Sequence, residues 1–148
     1  MLDIQLTPKT AWYANVRSAL PKHWDEIRKH VYKKLNGACY CCGEVYNKPL
    51  HAHELWKYVN SEMILVDIIP VCSACHSCLH YGRTLTVEPL IIPECNERIK
   101  RLNGFDDTDL FIYLASVFSE WRSRSRRNWM IVIPNSVLFA NGYTGELK

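Results

Sequence analysis

Cys39-Tyr-Cys-Cys42-Gly43, then Leu50-His51-Ala-His53-Glu54-Leu-Trp56, then Leu65-Val-Asp67-Ile-Ile-Pro-Val-Cys72-Ser-Ala-Cys75-His76-Ser-Cys-Leu-His80 are the parts of one stretch that decide the fold. Two Cys-x-x-Cys pairs flank a His-rich segment, and the second pair runs directly into two more histidines. Each pair presents two sulfurs from one tight turn, and Zn²⁺ takes a closed tetrahedral shell of thiolates at structural sites. Cys39, Cys42, Cys72 and Cys75 therefore form a candidate structural zinc set. Gly43 suits a turn in which backbone amides face the sulfurs. The alternative is four buried or disulfide-bonded cysteines. Cys41, Cys78 and Cys95 are left over and read as free thiols.

Residues 43–71 make a longer spacer than an ordinary zinc ribbon carries, so the inserted segment has its own task. His51 and His53 are two apart in a strand-like context, which points both to one face and sends Ala52 and Glu54 to the other. His76 and His80 are four apart after the second knuckle, and a helix places both imidazoles on one side. A strand histidine brought against a helical pair makes a metal-dependent phosphodiesterase site, in which an imidazole deprotonates water. The alternative is that some of these histidines are structural groups beside the zinc shell.

The block Cys-x-x-Cys-Gly, His-Glu-x-Trp and Asp-Ile-Ile-Pro-Val-Cys-x-x-Cys-His-x-x-x-His resembles the HNH endonuclease superfamily. The resemblance implies an α+β fold: a ββα-metal core, a hairpin followed by a helix, stapled by a four-Cys zinc and flanked by N- and C-terminal helices. It implies that His53 is the general base and that Asp67 stands where the family has its middle Asn. His76 and His80 become ligands of a catalytic divalent metal (Mg, Mn, Ni or Zn), with His51 and Glu54 as possible extra ligands. More loosely, Leu6-Thr-Pro-Lys-Thr-Ala-Trp12, Asn15-Val-Arg-Ser18, Trp24-Asp-Glu-Ile-Arg28 and Trp121-Arg-Ser-Arg124 are similar to a group of bacterial and phage HNH endonucleases. The implied activity is metal-dependent hydrolysis of DNA phosphodiester bonds. Where the family places Asp or His before its general base, this chain has Ala52. That departure favours a second expectation: a catalytically silent HNH-fold zinc module that binds DNA or a protein partner, for example a phage-encoded inhibitor of a host defence or replication enzyme.

The chain has 148 residues, of which 48% are hydrophobic and 22% charged, which fits one globular domain. It divides into N-terminal helices over 1–37, the zinc and ββα core over 38–82, and a helical and strand extension over 83–148. Cysteines at metal spacing point to a reducing cytoplasm. No apolar run approaches the ~20 residues that cross a bilayer, and the start lacks the features of a signal peptide. A net charge of +3 agrees weakly with a DNA partner.

Thr7-Pro8 followed by Trp12, Val16 and Leu20 predicts a helix over 7–20, and Trp24, Ile27, Val31 and Leu35 predict another over about 22–36. Glu62 to Val71 predicts the second hairpin strand, with a helix over 73–81 closed by Tyr81-Gly82. Trp56 and Tyr58 read as core packing. Further helices follow over 94–103 and from Asp106 or Asp107, then a strand near Trp129–Ile133 and a loose tail from Asn141. Arg122, Arg124, Arg126 and Arg127 are the densest positive charge; they either clamp a DNA backbone or complement a helix C-terminus.

Overall fold

The computed structural model describes residues 1–145; residues 146–148, the end of the tail expected to be loose, lie outside them. The fold is α+β, with a small sheet whose strands carry β-branched and aromatic residues and helices on both sides of it. Strands β1 (His51–Val59) and β2 (Glu62–Val71) form an antiparallel hairpin, and β3 (Met130–Val132) adds to β2 in parallel. The sheet order β1-β2-β3 leaves β1 at an edge. The hairpin turn works because Asn60 adopts a left-handed backbone, φ 54°, which an Asn side chain tolerates.

The hairpin contains one irregularity with consequences for the core. Leu55 pairs with Asp67 and Trp56 with Leu65, so Val66 is an extra residue without a partner, a β-bulge, and its side chain is exposed. The bulge resets the two-residue alternation, which lets Leu65 and Ile68, three apart, pack into one core. That core lies against Val16, Ile27, Val31 and Leu138. Ile69 and Val71 face the opposite core, which contains the cysteines with Leu2, Leu50, Leu79 and Ile99.

Helix α1 (Val16–Ala19) is a single turn, α2 (Trp24–Lys33) packs on the hairpin, and α3 (Ser73–Leu79) starts directly from the end of β2. Helices α4 (Tyr81–Val87), α5 (Ile92–Asn103) and α6 (Asp107–Arg124) complete the cysteine side, with α7 (Asn135–Ala140) on the other. Asp106 and Asp109 close a capping box at the start of α6, and Gly104 ends α5 at φ 67°. The N-terminal arm is strapped across these helices: Leu2 N donates to Asn103 Oδ1 (2.7 Å), Ile4 N to Tyr113 Oη (2.7 Å) and Gln5 N to Leu79 O (3.0 Å). Among the described residues no helix is long and apolar enough to cross a membrane.

Three local expectations change. The helix over 7–20 is instead a 3₁₀ turn at Lys9–Ala11 followed by α1, because Asn15 breaks the run and caps the new turn by accepting from Ser18 N (2.7 Å). As a result Trp12 lies outside, 75% exposed, while Val16 is fully buried. Tyr81-Gly82 opens α4 instead of closing the preceding helix. Tyr81 is buried and donates to Asn96 Oδ1 (2.8 Å), and the missing side chain of Gly82 admits Leu6, whose Cδ2 would meet an added Cβ at 3.1 Å. Asn141, expected in a loose tail, is fully buried.

Asn141 closes a polar knot under α2. Its Nδ2 donates to Asp67 Oδ1 (3.1 Å) and Val137 O (2.8 Å), and its Oδ1 accepts from Lys34 Nζ (3.0 Å), which also bonds Asp67 Oδ1 at 2.6 Å. Asn141→Leu leaves the lysine and carboxylate short of a partner, a cost of roughly 1–3 kcal/mol. Urea unfolding should show that loss as a lower midpoint at unchanged slope.

Candidate metal centres

Two groups of ligand side chains gather at the base of the hairpin, each with its donor atoms within 4.8 Å of one another: Cys39, Cys42, Cys72 and Cys75, and His53, His76 and His80. The first is built from two turns. Gly43, at φ 75°, lets the chain fold back so that Gly43 N donates to Cys39 O (2.9 Å), and Tyr40 N fastens this knuckle to Pro70 O (2.8 Å) at the end of β2. Cys72 is the N-cap of α3, its Sγ accepting from Cys75 N at 3.4 Å, while Cys72 N donates to Cys39 Sγ at 3.3 Å. Arg98 Nη1 reaches Cys75 Sγ at 3.6 Å and sets a positive charge beside the sulfurs.

Four cysteines are thus positioned to hold one metal ion. Thiol hydrogen bonds from Cys41 and Cys75 push Cys39 down toward thiolate, and the same contact with Cys39 pushes Cys75 up. Cys41, donating to Cys39, is pushed up to about 12. A soft divalent ion that displaces the thiol protons would neutralise the charge gathered on these sulfurs. All seven cysteines are free.

The second group depends on both periodicities. Strand alternation puts His51 and His53 on the face that meets α3, with ring centroids 4.9 Å and 5.4 Å from that of His76. Helical spacing brings His76 Nε2 and His80 Nε2 to 3.1 Å, close to the separation of two nitrogens on one metal at a bond length near ~2.1 Å. His53 Nε2 is the one buried side-chain nitrogen or oxygen among the described residues with no hydrogen-bond partner. A buried imidazole nitrogen costs free energy when left unsatisfied, so the donor set fits a metal ion on this observation. On the far side of the His76 ring, His51 Nδ1 lies 2.8 Å from His76 Nδ1, and in the tautomer in which His76 Nδ1 is the donor this contact leaves His76 Nε2 with its lone pair for a metal. Burial together with the neighbouring His80 and His76 rings pushes His53 down to about 2, and burial with His80, His51 and Arg83 pushes His76 to about 3. Burial and Arg83 also lower His80. All three are neutral at pH 7, with lone pairs available.

This group lines a cleft of about 470 Å³ that wraps the free edge of β1, so residues from both faces of the strand reach it. Glu54 enters from the opposite face, its Oε1 held by Val16 N at 2.7 Å. Burial pushes its carboxyl up to about 7 against the opposing bonds from Val16 N–H and the Trp56 indole. Arg17 and Arg83, both exposed, also line the cleft, where Glu54 is the sole carboxylate among the described residues. Ala52 packs partly into the Leu65–Ile68 core beside it.

Other expected site residues are elsewhere. Asp67 does not line the cleft; it belongs to the Lys34–Asn141 knot. Arg124 stacks on Tyr58, 4.1 Å from the ring centroid, and Arg127 on Trp129 at 4.7 Å, so these two fasten β3 and the end of α6 to the hairpin. Arg122 and Arg126 point into solvent. Trp56 and Tyr58 are packed, as expected, and form part of the cleft wall. With Tyr81-Gly82 read as a helix stop, Arg83 gives no signal in the sequence; because Tyr81 instead opens α4, His80 is its N-cap residue and Arg83 lies in its first turn. No family model, curated protein or solved structure matches this chain.

Proposed function

We propose that the protein is a metal-dependent phosphodiesterase acting on DNA, of the HNH type, in which the four cysteines hold a structural zinc and His53, His76 and His80 hold a catalytic divalent ion. The observation that carries this reading is buried His53, whose Nε2 has no hydrogen-bond partner, gathered with the paired Nε2 atoms of His76 and His80 so that one donor atom of each ring lies within 4.8 Å of the others. A structural module with a complete cysteine set has no use for a second, nitrogen-only donor set opening into a cationic cleft. Three imidazoles supply the ligands without any contribution from position 52.

The roles follow from where each side chain sits. A divalent ion in the triad supplies Lewis-acid stabilisation of charge on phosphoryl and leaving oxygens. Arg83, beside His76 and His80 and without an ion-pair partner among the described residues, binds a nonbridging phosphate oxygen. Glu54, held at the cleft by the Val16 N–H and the Trp56 indole, is the carboxylate that accepts the proton of the attacking water. His53, pushed down to about 2, is a weak base, so this reading makes it a ligand and gives the proton to Glu54.

The test is elemental analysis of the purified protein together with nicking of supercoiled plasmid in Mg²⁺, Mn²⁺ or Ni²⁺. One zinc per chain with divalent-dependent nicking is expected; zinc without nicking under any ion would leave a binding module. Glu54→Gln should lower kcat by about 10²–10⁴ while both metal contents stay at wild-type values. In the wild type the rate should rise with pH through about 7, because the carboxylate is the active form, and that rise should vanish in the variant. A variant that keeps both the rate and its pH dependence would remove Glu54 from the mechanism.

A further inference from the structure

Five tryptophans occur in the chain, and four are accounted for by packing. Trp24 and Trp56 are half-buried against the Leu65–Ile68 core, Trp121 donates to Thr7 O (2.9 Å) beneath Lys9, and Trp129 is buried against Tyr58. Trp12 is different. It is 75% exposed, makes no ring or cation contact among the described residues, and lines the same cleft as the three histidines.

Its backbone is fixed, so the ring is presented and not merely left over. Trp12 follows the Lys9–Ala11 turn, where Lys9 N donates to Ser125 Oγ (3.0 Å), Ala11 is fully buried and Ala14 N donates to Ala11 O (3.0 Å). The rest of the cleft mouth is cationic and polar: Arg17, Arg83, Asn15 and Ser18. An open aromatic face beside guanidiniums is the arrangement with which proteins take a nucleobase and its phosphate together. A base inside a duplex has both faces covered by its neighbours, so only an unpaired or extruded base can lie on Trp12. The cleft, about 470 Å³, matches one small bound group and cannot enclose a duplex.

We propose that Trp12 is a stacking platform for an unpaired nucleobase, and that the substrate is a polynucleotide strand presenting such a base next to the phosphate at the histidine triad. This rests on the phosphodiesterase reading for the position of the phosphate and adds the substrate class. Arg17 and Arg83 then hold the flanking phosphates, and the half-buried Trp24 forms the wall behind the base.

The experiment is fluorescence anisotropy with labelled single strands, deoxy and ribo, and with the matching duplex, on the full-length protein without added divalent ion, so that binding is read without cleavage. Because Trp12 is exposed, its variants should keep the zinc content and thermal transition of the wild type. Trp12→Leu should weaken single-strand binding roughly tenfold, and Trp12→Phe, which keeps a ring, should recover most of it. Duplex binding should be weaker and unchanged by either variant. The tighter of the two strands identifies the backbone. Equal losses in Trp12→Leu and Trp12→Phe, parallel losses for duplex, or no loss would overturn the proposal. Trp12-dependent strand binding by a protein that cleaves nothing would remove the hydrolytic reading and keep the platform. Duplex cleavage indifferent to Trp12→Leu would do the opposite.

Discussion

Cys72→Ser is expected to unfold the protein and abolish the metal binding proposed for the four cysteines, the largest effect of any single substitution in the chain. Cys72 has three tasks at one point. It is a member of the four-cysteine set, it caps α3 through Sγ, and its N–H donates to Cys39 Sγ, joining the second knuckle to the first. Serine retains a capping oxygen but is a poor ligand for a soft ion, and the remaining thiols cannot share the ion's charge as a complete tetrahedral set. Structural zinc contributes roughly 10–16 kcal/mol of apparent binding free energy in small domains. A domain's whole net stability is about 5–15 kcal/mol. The variant should therefore show no cooperative thermal transition and substoichiometric zinc. Cys95→Ala, at a buried thiol outside both ligand groups, should keep one zinc and only lower the transition temperature. A Cys72→Ser protein that melts cooperatively with full zinc would show that the cysteines are core packing and nothing more.

The parts of this architecture that local pattern specifies were legible in the sequence. Ile, Leu and Val between Glu62 and Val71 define β2 over the same residues the structure gives it, and the doubled Cys-x-x-Cys predicts the gathered sulfurs. The two-residue spacing of His51 and His53 and the four-residue spacing of His76 and His80 bring all four rings together through a strand and a helix that local periodicity predicts. What escaped depends on contacts made far along the chain. Trp12, Val16 and Leu20 satisfy a helical period, yet Asn15 prefers to cap, and Glu54 captures the amide of Val16 from the hairpin. Glu54 acquires its raised pKa only through that burial, so its type and spacing alone gave no signal. The tail residue Asn141 is fixed by Lys34 and Asp67, and no tail composition encodes such a partner. Asp67 illustrates the same limit: the resemblance sets it where the family has its middle Asn, while its neighbours in space make it the half-buried anion of the Lys34–Asn141 knot.

His53→Ala separates the two assignments this histidine has received. If His53 is a ligand, the substitution should remove the second metal site and cleavage together. Loss of one of three imidazoles should weaken binding of a probe ion such as Ni²⁺ by well over the ~10–100-fold that supporting residues alone contribute. Plasmid nicking should fall by at least a comparable factor. The zinc proposed at the cysteines, whose knuckles have their own hydrogen bonds, should remain at one per chain. Stability without the second ion should drop less than burial of His53 suggests, because the ring carries an unsatisfied Nε2 in the folded state and its removal relieves that cost while opening a cavity. If instead His53 is the base, as the family resemblance implies, nicking disappears while Ni²⁺ binding to His76 and His80 is unchanged. The two outcomes differ in metal affinity, which no loss of activity can imitate. Glu54→Gln gives the reciprocal result, with metal affinity retained and nicking lost, only when His53 is the ligand and Glu54 the proton acceptor.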